Sequence, residues 1–379
     1  MSRRTLFLLL GPAILCVLGA VMPRNGRVAA LSRSVEQEAI SPEGFPRAPE
    51  LPAGSEWLNS PPLTMRQLRG RVVLIDFWEY TCINCIRTFP YLKAWHERYK
   101  DHGLVIIGVH TPEFQFARVR NHVEEAAKRF GLTYPLVLDS DYQIWNAYGN
   151  RFWPAKYLID ARGYVRYFHF GEGAYGETER RIQALLREIK PTLELPPLLE
   201  PVRGTDRPGA RCYPVTPELY LGYERGSLQG QLGNREGFRP NRVATFRDPG
   251  RHRDGLYYLN GVWKNEREAV VSTRTTTREE DWIAIAYHAL EVNIVARPEN
   301  PRRPVRVWVQ QDGKPVAEGD RGDDLKVAAD GRTYLLIDRP RMYQVIKNAR
   351  FGHHRLKLIV QEPGLRVYTF TFVSCEIPG

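Results

Sequence analysis

Two cysteines separated by two residues, Cys82 and Cys85, follow directly on an apolar run, and nothing else in the chain restricts its fold so tightly. Val72-Val73-Leu74-Ile75 reads as a buried strand, and the cysteines open the helix that comes after it. A thiol at a helix N-terminus meets unsatisfied backbone N–H groups and the positive end of the helix dipole, and both favour a thiolate. The thiolate is the species that attacks disulfides, and Cys85, one turn on, is placed to resolve the mixed disulfide. Zinc binding fails on spacing: the chain has no second CxxC, and His96, His102 and His110 do not stand at ligand intervals. No metal or other cofactor is called for.

Three further features extend the pattern. Asp76 interrupts the apolar strand just upstream of the cysteines, where a buried carboxyl is a candidate proton acceptor for Cys85. Its plainer reading is a buried acid satisfied by hydrogen bonds. Pro90 lies one turn into the helix, where proline kinks rather than ends it. Trp153-Pro154 precedes another apolar strand, Lys156–Asp160. This set resembles the thioredoxin superfamily. Within it, the phrases Phe77 to Thr88, Gly108 to Phe114 and Ala147 to Tyr157 look like the exported redox portion of DipZ proteins, relatives of the TlpA and ResA thiol-disulfide reductases. The resemblance is specific over residues 57–189 and looser elsewhere. It implies a catalytic Cys82/Cys85 pair, a cis bond before Pro154, and a substrate groove lined by Trp78, Trp153 and Pro154. TlpA- and ResA-like reductases place a glutamate three positions after the second cysteine, where this chain has Thr88. Glu79, on the other side of the pair, is the candidate substitute acid, although an exposed loop residue is its default.

The Ile83-Asn84 dipeptide carries no cation, and Arg87 reads as a solvated helix residue. A thiolate stabilised only by the helix start goes with a stable disulfide and a reducing couple. The Cys82 thiol is accordingly expected below the free value of about 8.5. A net oxidase or isomerase is the alternative, depending on the partner that resets the dithiol; a second is an envelope glycan- or partner-binding protein in which the redox domain is secondary.

The chain's 379 residues suffice for two domains. Its net charge of +11 raises the question of nucleic acid, but Arg and Lys are interspersed with acids and form no basic stripe, so no nucleic-acid partner is expected. Arg3-Arg4 ahead of the apolar run Thr5 to Val21 reads as a signal peptide or membrane anchor over residues 1–22, cleaved or retained. The remainder is expected to be exported to the periplasm or cell envelope. Partners would be disulfide-containing exported proteins and a separate membrane thiol electron donor. Of the five cysteines, Cys212 and Cys375 are left over. A structural disulfide suits an exported protein, with two unrelated buried thiols as the alternative.

Closely spaced prolines make residues 23–56 a flexible tether and 190–211 a semi-rigid linker. Between them, residues 57–189 alternate strand and helix: an α/β thioredoxin fold with a TlpA-like insertion. A helix is expected over Phe114–Phe130 and a hairpin over Lys156–Phe170. Residues 212–379 show short alternating strands with regular turns, the signature of an all-β sandwich or jelly roll. DipZ proteins carry a carbohydrate-binding-module-like domain at this position, which implies envelope glycan as a further partner. Tyr257, Tyr258, Trp263, Trp282 and Trp308 are the candidates for sugar stacking, with burial in the core as the preferred reading.

Overall fold

A computed structural model describes residues 40, 41 and 43–377. The expected targeting segment and the tether as far as residue 39 lie outside the described residues. Within the unit Met1–Arg47, Ser41 N donates to Phe45 O (2.8 Å) and closes a turn. Residues 48–379 form a second unit, which contains both the redox domain and the β domain.

The redox domain runs β1 (Glu56–Leu58), β2 (Val72–Trp78), α1 (Ile83–Tyr99), β3 (Leu104–His110), α2 (Arg120–Phe130), β4 (Leu136–Leu138), α3 (Gln143–Ala147), β5 (Ala155–Ile159), β6 (Val165–Phe170) and α4 (Tyr175–Ile189). Its sheet has the order β1-β4-β3-β2-β5-β6, with β2, β3 and β4 parallel and the other pairings antiparallel. Every residue of β2 is buried, as a central strand covered on both faces requires. Side chains alternate across a strand. Val73, Ile75 and Phe77 therefore join one core layer with Val109 and Tyr157, while Val72, Leu74 and Trp78 join the other with Phe89, Leu92 and Trp95 of α1. By the same parity Asp76 faces the α1 layer, where Cys85 is buried.

Three expectations need correction. Residues 48–56 are not tether: Ala48 and Leu51 are buried with Trp57, Met65 and Leu68, and Ala48 N donates to Gly163 O (3.0 Å). The helix expected over Phe114–Phe130 is split into a short 3₁₀ turn, Gln115–Arg118, and α2. Phe114 and Phe116 both pack against Tyr368 of the β domain (ring centroids 5.1 and 4.7 Å), an i, i+2 pairing that an α-helix cannot point one way. The Pro-rich linker is a strap laid on the redox domain. Leu199 N donates to Glu179 Oε2 (2.9 Å), and Val202 N to Tyr91 Oη (2.9 Å). Leu193, Leu195 and Leu199 pack on the core beneath.

The β domain follows as β7 (Arg211–Cys212), β8 (Leu219–Tyr220), α5 (Tyr223–Leu228), β9 (Val243–Phe246), β10 (Tyr257–Asn265), β11 (Val270–Ser272), β12 (Asp281–Pro298), β13 (Val305–Gln311), β14 (Lys314–Pro315), β15 (Lys326–Val327), β16 (Thr333–Ile337), β17 (Arg341–Val360), β18 (Leu365–Val373) and β19 (Cys375–Glu376). Its strand pairs are antiparallel. Two long strands, β12 and β17, organise it. The first half of β12 pairs with β10 and its second half with β18, and the β12–β17 register shifts between Ala289 and Glu291. Such irregularities bend a strand, so one sheet folds over a single core that joins Ile283 and Ile285 to Ile294, Val345 and Phe370. Tyr257, Tyr258, Trp263 and Trp308 are buried, and only Trp282 is half-exposed. It lines a separate cavity of about 670 Å³ with Asp248, Asn260 and Lys357.

Cys212 and Cys375 are bonded to each other and join the two-residue strands β7 and β19, closing a loop of 163 residues. The short exposed pairing of β7 contributes little apolar burial of its own. Chain-entropy arguments assign a loop of this length about 5 kcal/mol. A Cys212→Ser/Cys375→Ser variant should therefore unfold at lower denaturant, with a stability loss of roughly 2–5 kcal/mol by chemical denaturation. A midpoint equal to that of the parent would assign the bridge no stabilising role.

Candidate active site

Cys82 caps α1. Its backbone is extended, and its sulfur accepts a hydrogen bond from Cys85 N (3.3 Å). Cys82 is half-buried and Cys85 fully buried. Pro90 lies inside α1, where its missing N–H leaves the first turn intact. The Trp153–Pro154 bond is cis. Trp153 packs on Trp145 (centroids 4.2 Å) and donates from Nε1 to Thr111 O (3.0 Å). Trp78, which the resemblance placed in the groove, is fully buried against Phe89 and His110 and does not line the cleft at Cys82.

That cleft holds about 350 Å³ and has two walls. Thr81, Cys82, Asn84, Glu113 and Trp153 come from the redox domain, and Thr216, Glu218, Tyr220, Arg225, Thr371 and Phe372 from the β domain. Arg225 pairs with Glu113 across this boundary, and Gln115 N donates to Glu268 Oε2 (3.0 Å) alongside. Tyr220, Ala269, Val295 and Tyr368 are continuous with the redox-domain core. Sequence reasoning found none of the β-domain wall. Glu113 stood inside a family phrase, but the residues from Thr216 to Arg225 carry no recognisable motif.

The electrostatics correct one expectation outright. Burial pushes the Cys82 thiol up, not down; hydrogen bonds from Cys85 oppose this, and the charges of Glu113 and Glu79 add to it. Cys85 is raised further still, by burial first and then by Cys82. Arg87 is no solvated cation, since its Nε is 3.1 Å from Glu172 Oε1 and both side chains are largely buried. It therefore offers Cys82 no free charge. Thr88 is buried, and its hydroxyl donates to Asn84 O (2.9 Å).

Two carboxyls lie beneath the pair. Asp76 is buried, and neither of its oxygens has a hydrogen-bond partner among the described residues. Burial lifts it to about 7, and Lys156, its register partner on β5, draws it down. Lys156 is itself lowered by burial. Glu79 is not the exposed loop acid that was its default. It is fully buried, its Oε2 accepts from Thr81 N (2.7 Å) and Thr81 Oγ1 (2.5 Å), and burial raises it to about 8. Its Oε1 lies 4.0 Å from His110 Nε2, whose ring burial lowers to about 3 and so keeps neutral.

Residues 50–168 match the AhpC/TSA family, and residues 216–372 match a thioredoxin-like C-terminal domain. The thiol-disulfide oxidoreductase YkuV of Bacillus subtilis is 31% identical over 143 residues, which are 38% of this chain and 95% of YkuV. The chain belongs to the thioredoxin-like thiol-disulfide oxidoreductases. ResA of Halalkalibacterium halodurans, another of them, is 31% identical over 136 residues, 36% of this chain and 72% of ResA. Protein DipZ of Mycobacterium tuberculosis is 35% identical over 358 residues, spanning 94% of this chain. The chain covers 46% of DipZ, less than half its length.

The raised carboxyls set a pH dependence. An acid whose folded pKa exceeds its unfolded value stabilises the fold while protonated, and that contribution is lost as pH rises through the folded value. Asp76 moves from 3.8 to about 7, so the loss runs between those limits. The shift corresponds to about 4 kcal/mol. Asp76→Asn should lose less stability than the parent over this range, by roughly 2–4 kcal/mol in denaturant titrations at its two ends. Parallel stability curves for the two proteins would show Asp76 to be ionised throughout.

Proposed function

We propose that this chain reduces disulfides of exported proteins through the Cys82/Cys85 dithiol. The observation that carries this reading is the asymmetry of the pair: Cys82 faces a cleft, and Cys85 is sealed behind it. Cys82 attacks a substrate sulfur, Cys85 displaces the bound sulfur from Cys82, and Asp76 takes the Cys85 proton. Asp76 suits that task because its oxygens are otherwise unpartnered and its pKa lies near neutrality. Glu79, with one free oxygen and a raised pKa, is the second reservoir for a proton beside the pair. The cis Trp153–Pro154 turn borders the same cleft and supports its use by an extended substrate segment.

The reducing direction rests on the thiols. A thiolate disfavoured by burial makes the dithiol the less stable state of the couple at neutral pH, and the disulfide the preferred one. The reaction therefore donates electrons to substrate and needs an external dithiol, supplied from the membrane, to reset it. Export and the apolar leader underlie the choice of substrate class. Sugar binding by the β domain is the weaker part of the reading, because four of its five candidate aromatics are buried.

A glutathione or dithiothreitol redox titration should give a potential nearer thioredoxin's roughly −270 mV than DsbA's roughly −120 mV. A strongly oxidising value would reverse the direction. In the reduced protein Cys82 should alkylate with iodoacetamide roughly tenfold faster than Cys85, read by peptide mass spectrometry. Preferential labelling of Cys85 would exchange the two roles. Cys85→Ser in the native envelope should accumulate mixed disulfides through Cys82 and so identify the substrates.

A further inference from the structure

The wall that the β domain raises over Cys82 contains a hydrogen-bond arrangement that is short of one proton. Tyr220 Oη lies 2.6 Å from Glu218 Oε2 and 3.2 Å from Glu113 Oε1. A phenol has a single proton to donate, so it can satisfy only one carboxylate. The other contact is a hydrogen bond only if that carboxyl carries a proton of its own. Arg225 decides which one. Its guanidinium pairs with Glu113 and lies 3.5 Å from the Tyr220 ring centroid, marking Glu113 as the ionised member. Glu218 is left as the acid, its second oxygen accepting from Thr369 Oγ1 (3.3 Å).

The titration of the group agrees with this geometry. Burial and the Glu113 charge push Glu218 up to about 7 against the opposing pull of Tyr220, Arg225 and Thr369. The guanidinium is paired with Glu113, so the neighbouring charge is left to hold the proton on Glu218. Arg151 and Cys82 face the group across the cleft. Thr371, only 8% exposed, lines the same cleft, and its buried Oγ1 has no hydrogen-bond partner among the described residues.

We propose that Glu218 is the acid that protonates the departing substrate sulfur when Cys82 attacks a disulfide held in this cleft, which makes the β domain part of the catalytic site. The proposal rests on the disulfide-reductase reading above. In the step, Cys82 gives up its proton to water in the cleft, and a Cys82–substrate S–S bond forms as the substrate S–S bond breaks. The electron pair of that bond leaves on the departing sulfur, which takes the Glu218 proton. Cys85 then gives its proton to Asp76 and displaces the second substrate sulfur, which takes a proton from water in the cleft. This leaves a Cys82–Cys85 disulfide and two substrate thiols, and the protons released by Cys82 and, through Asp76, by Cys85 restore Glu218 and the water. Asp76 serves the other half of the cycle from beneath the pair.

An acid matters only when the leaving sulfur is basic. The test therefore compares two uncharged disulfides under single-turnover conditions with the full-length reduced protein. Bis(2-hydroxyethyl) disulfide releases a basic alkyl thiolate, and 4,4′-dithiodipyridine releases a stabilised thione. In Glu218→Gln the ratio of the alkyl to the aryl rate should fall by about tenfold or more, and Glu218→Asp should recover part of it. A change in Cys82 basicity alters both rates and cancels from the ratio. In the parent protein the ratio should fall as pH rises between about pH 6.5 and about pH 9, where both probes are uncharged, and the Gln variant should lose that limb. If the Gln variant does not accumulate as folded protein, the parent's pH limb carries the test. A ratio untouched by the substitution, or one flat with pH in the parent, overturns the assignment to Glu218. Failure of the parent to react with either disulfide through Cys82 is a different result, and it removes the reductase reading itself.

Discussion

Desolvation at the start of α1 is the constraint around which the site is arranged. A helix N-terminus and the Cys85 N–H both favour a thiolate at Cys82. Exposed, as in an isolated redox domain, those terms would lower its pKa. Here Cys82 is closed in by Trp153 on one side and by Tyr220, Thr371 and Phe372 on the other, and the loss of water outweighs them. The same loss of water acts on Cys85, Asp76, Glu79 and His110 and drives each toward its uncharged form. The dithiol and the groups packed around it are thus biased toward their neutral forms, with the Arg225–Glu113 ion pair in the wall of the cleft. Charge that develops on sulfur during exchange is disfavoured by the same burial, so each step needs a nearby group to take or give a proton.

Much of the fold was legible because it rests on local signals. The apolar run Val72 to Ile75 marks β2, the hairpin over Lys156–Phe170 holds β5 and β6, and the CxxC, Pro90 and Trp153-Pro154 fix the redox domain between them. The β domain was legible as all-β from its alternating runs. Its folding of one sheet around long bent strands was not, since the strand pairings join residues far apart in sequence. The failures share a cause. The Phe114–Phe130 helix, the tether through residue 56 and the free linker were each read from local composition. Each is overruled by a distant surface: Tyr368 for Phe114 and Phe116, the Trp57–Met65 layer for Ala48 and Leu51, and α4 for Leu199.

The candidate site divides along the same line. Cys82, Cys85 and Asp76 are adjacent to one strand–helix junction and could be named from it. Glu79 is equally local, yet its burial depends on His110 and on the packing of Tyr80 against Phe116. Sequence gives the residue and withholds its environment. The β-domain wall is the extreme case. Glu218 and Thr371 are separated from Cys82 by more than a hundred residues, and only the apposition of two domains makes them neighbours.

That apposition changes what the second domain is for. A β domain attached by a loose linker would leave the dithiol open to any disulfide that diffuses to it. This one is fastened by a strap that packs along α4, by the Arg225–Glu113 pair and by the Phe114–Phe116–Tyr368 stack. The opening over Cys82 is then bounded on both sides, and a substrate has to present its disulfide within about 350 Å³. Narrowing the entrance also dries it, and drying favours the protonated form of Glu218. In the proposed mechanism selectivity and proton supply then come from one physical act: the β domain that narrows the opening also buries Glu218, which pushes its pKa up. Moving the domain away would admit more substrates and at the same time rehydrate Glu218, lowering its pKa and disarming it as a donor. A redox domain alone should be broader in what it accepts and poorer at expelling a basic thiolate.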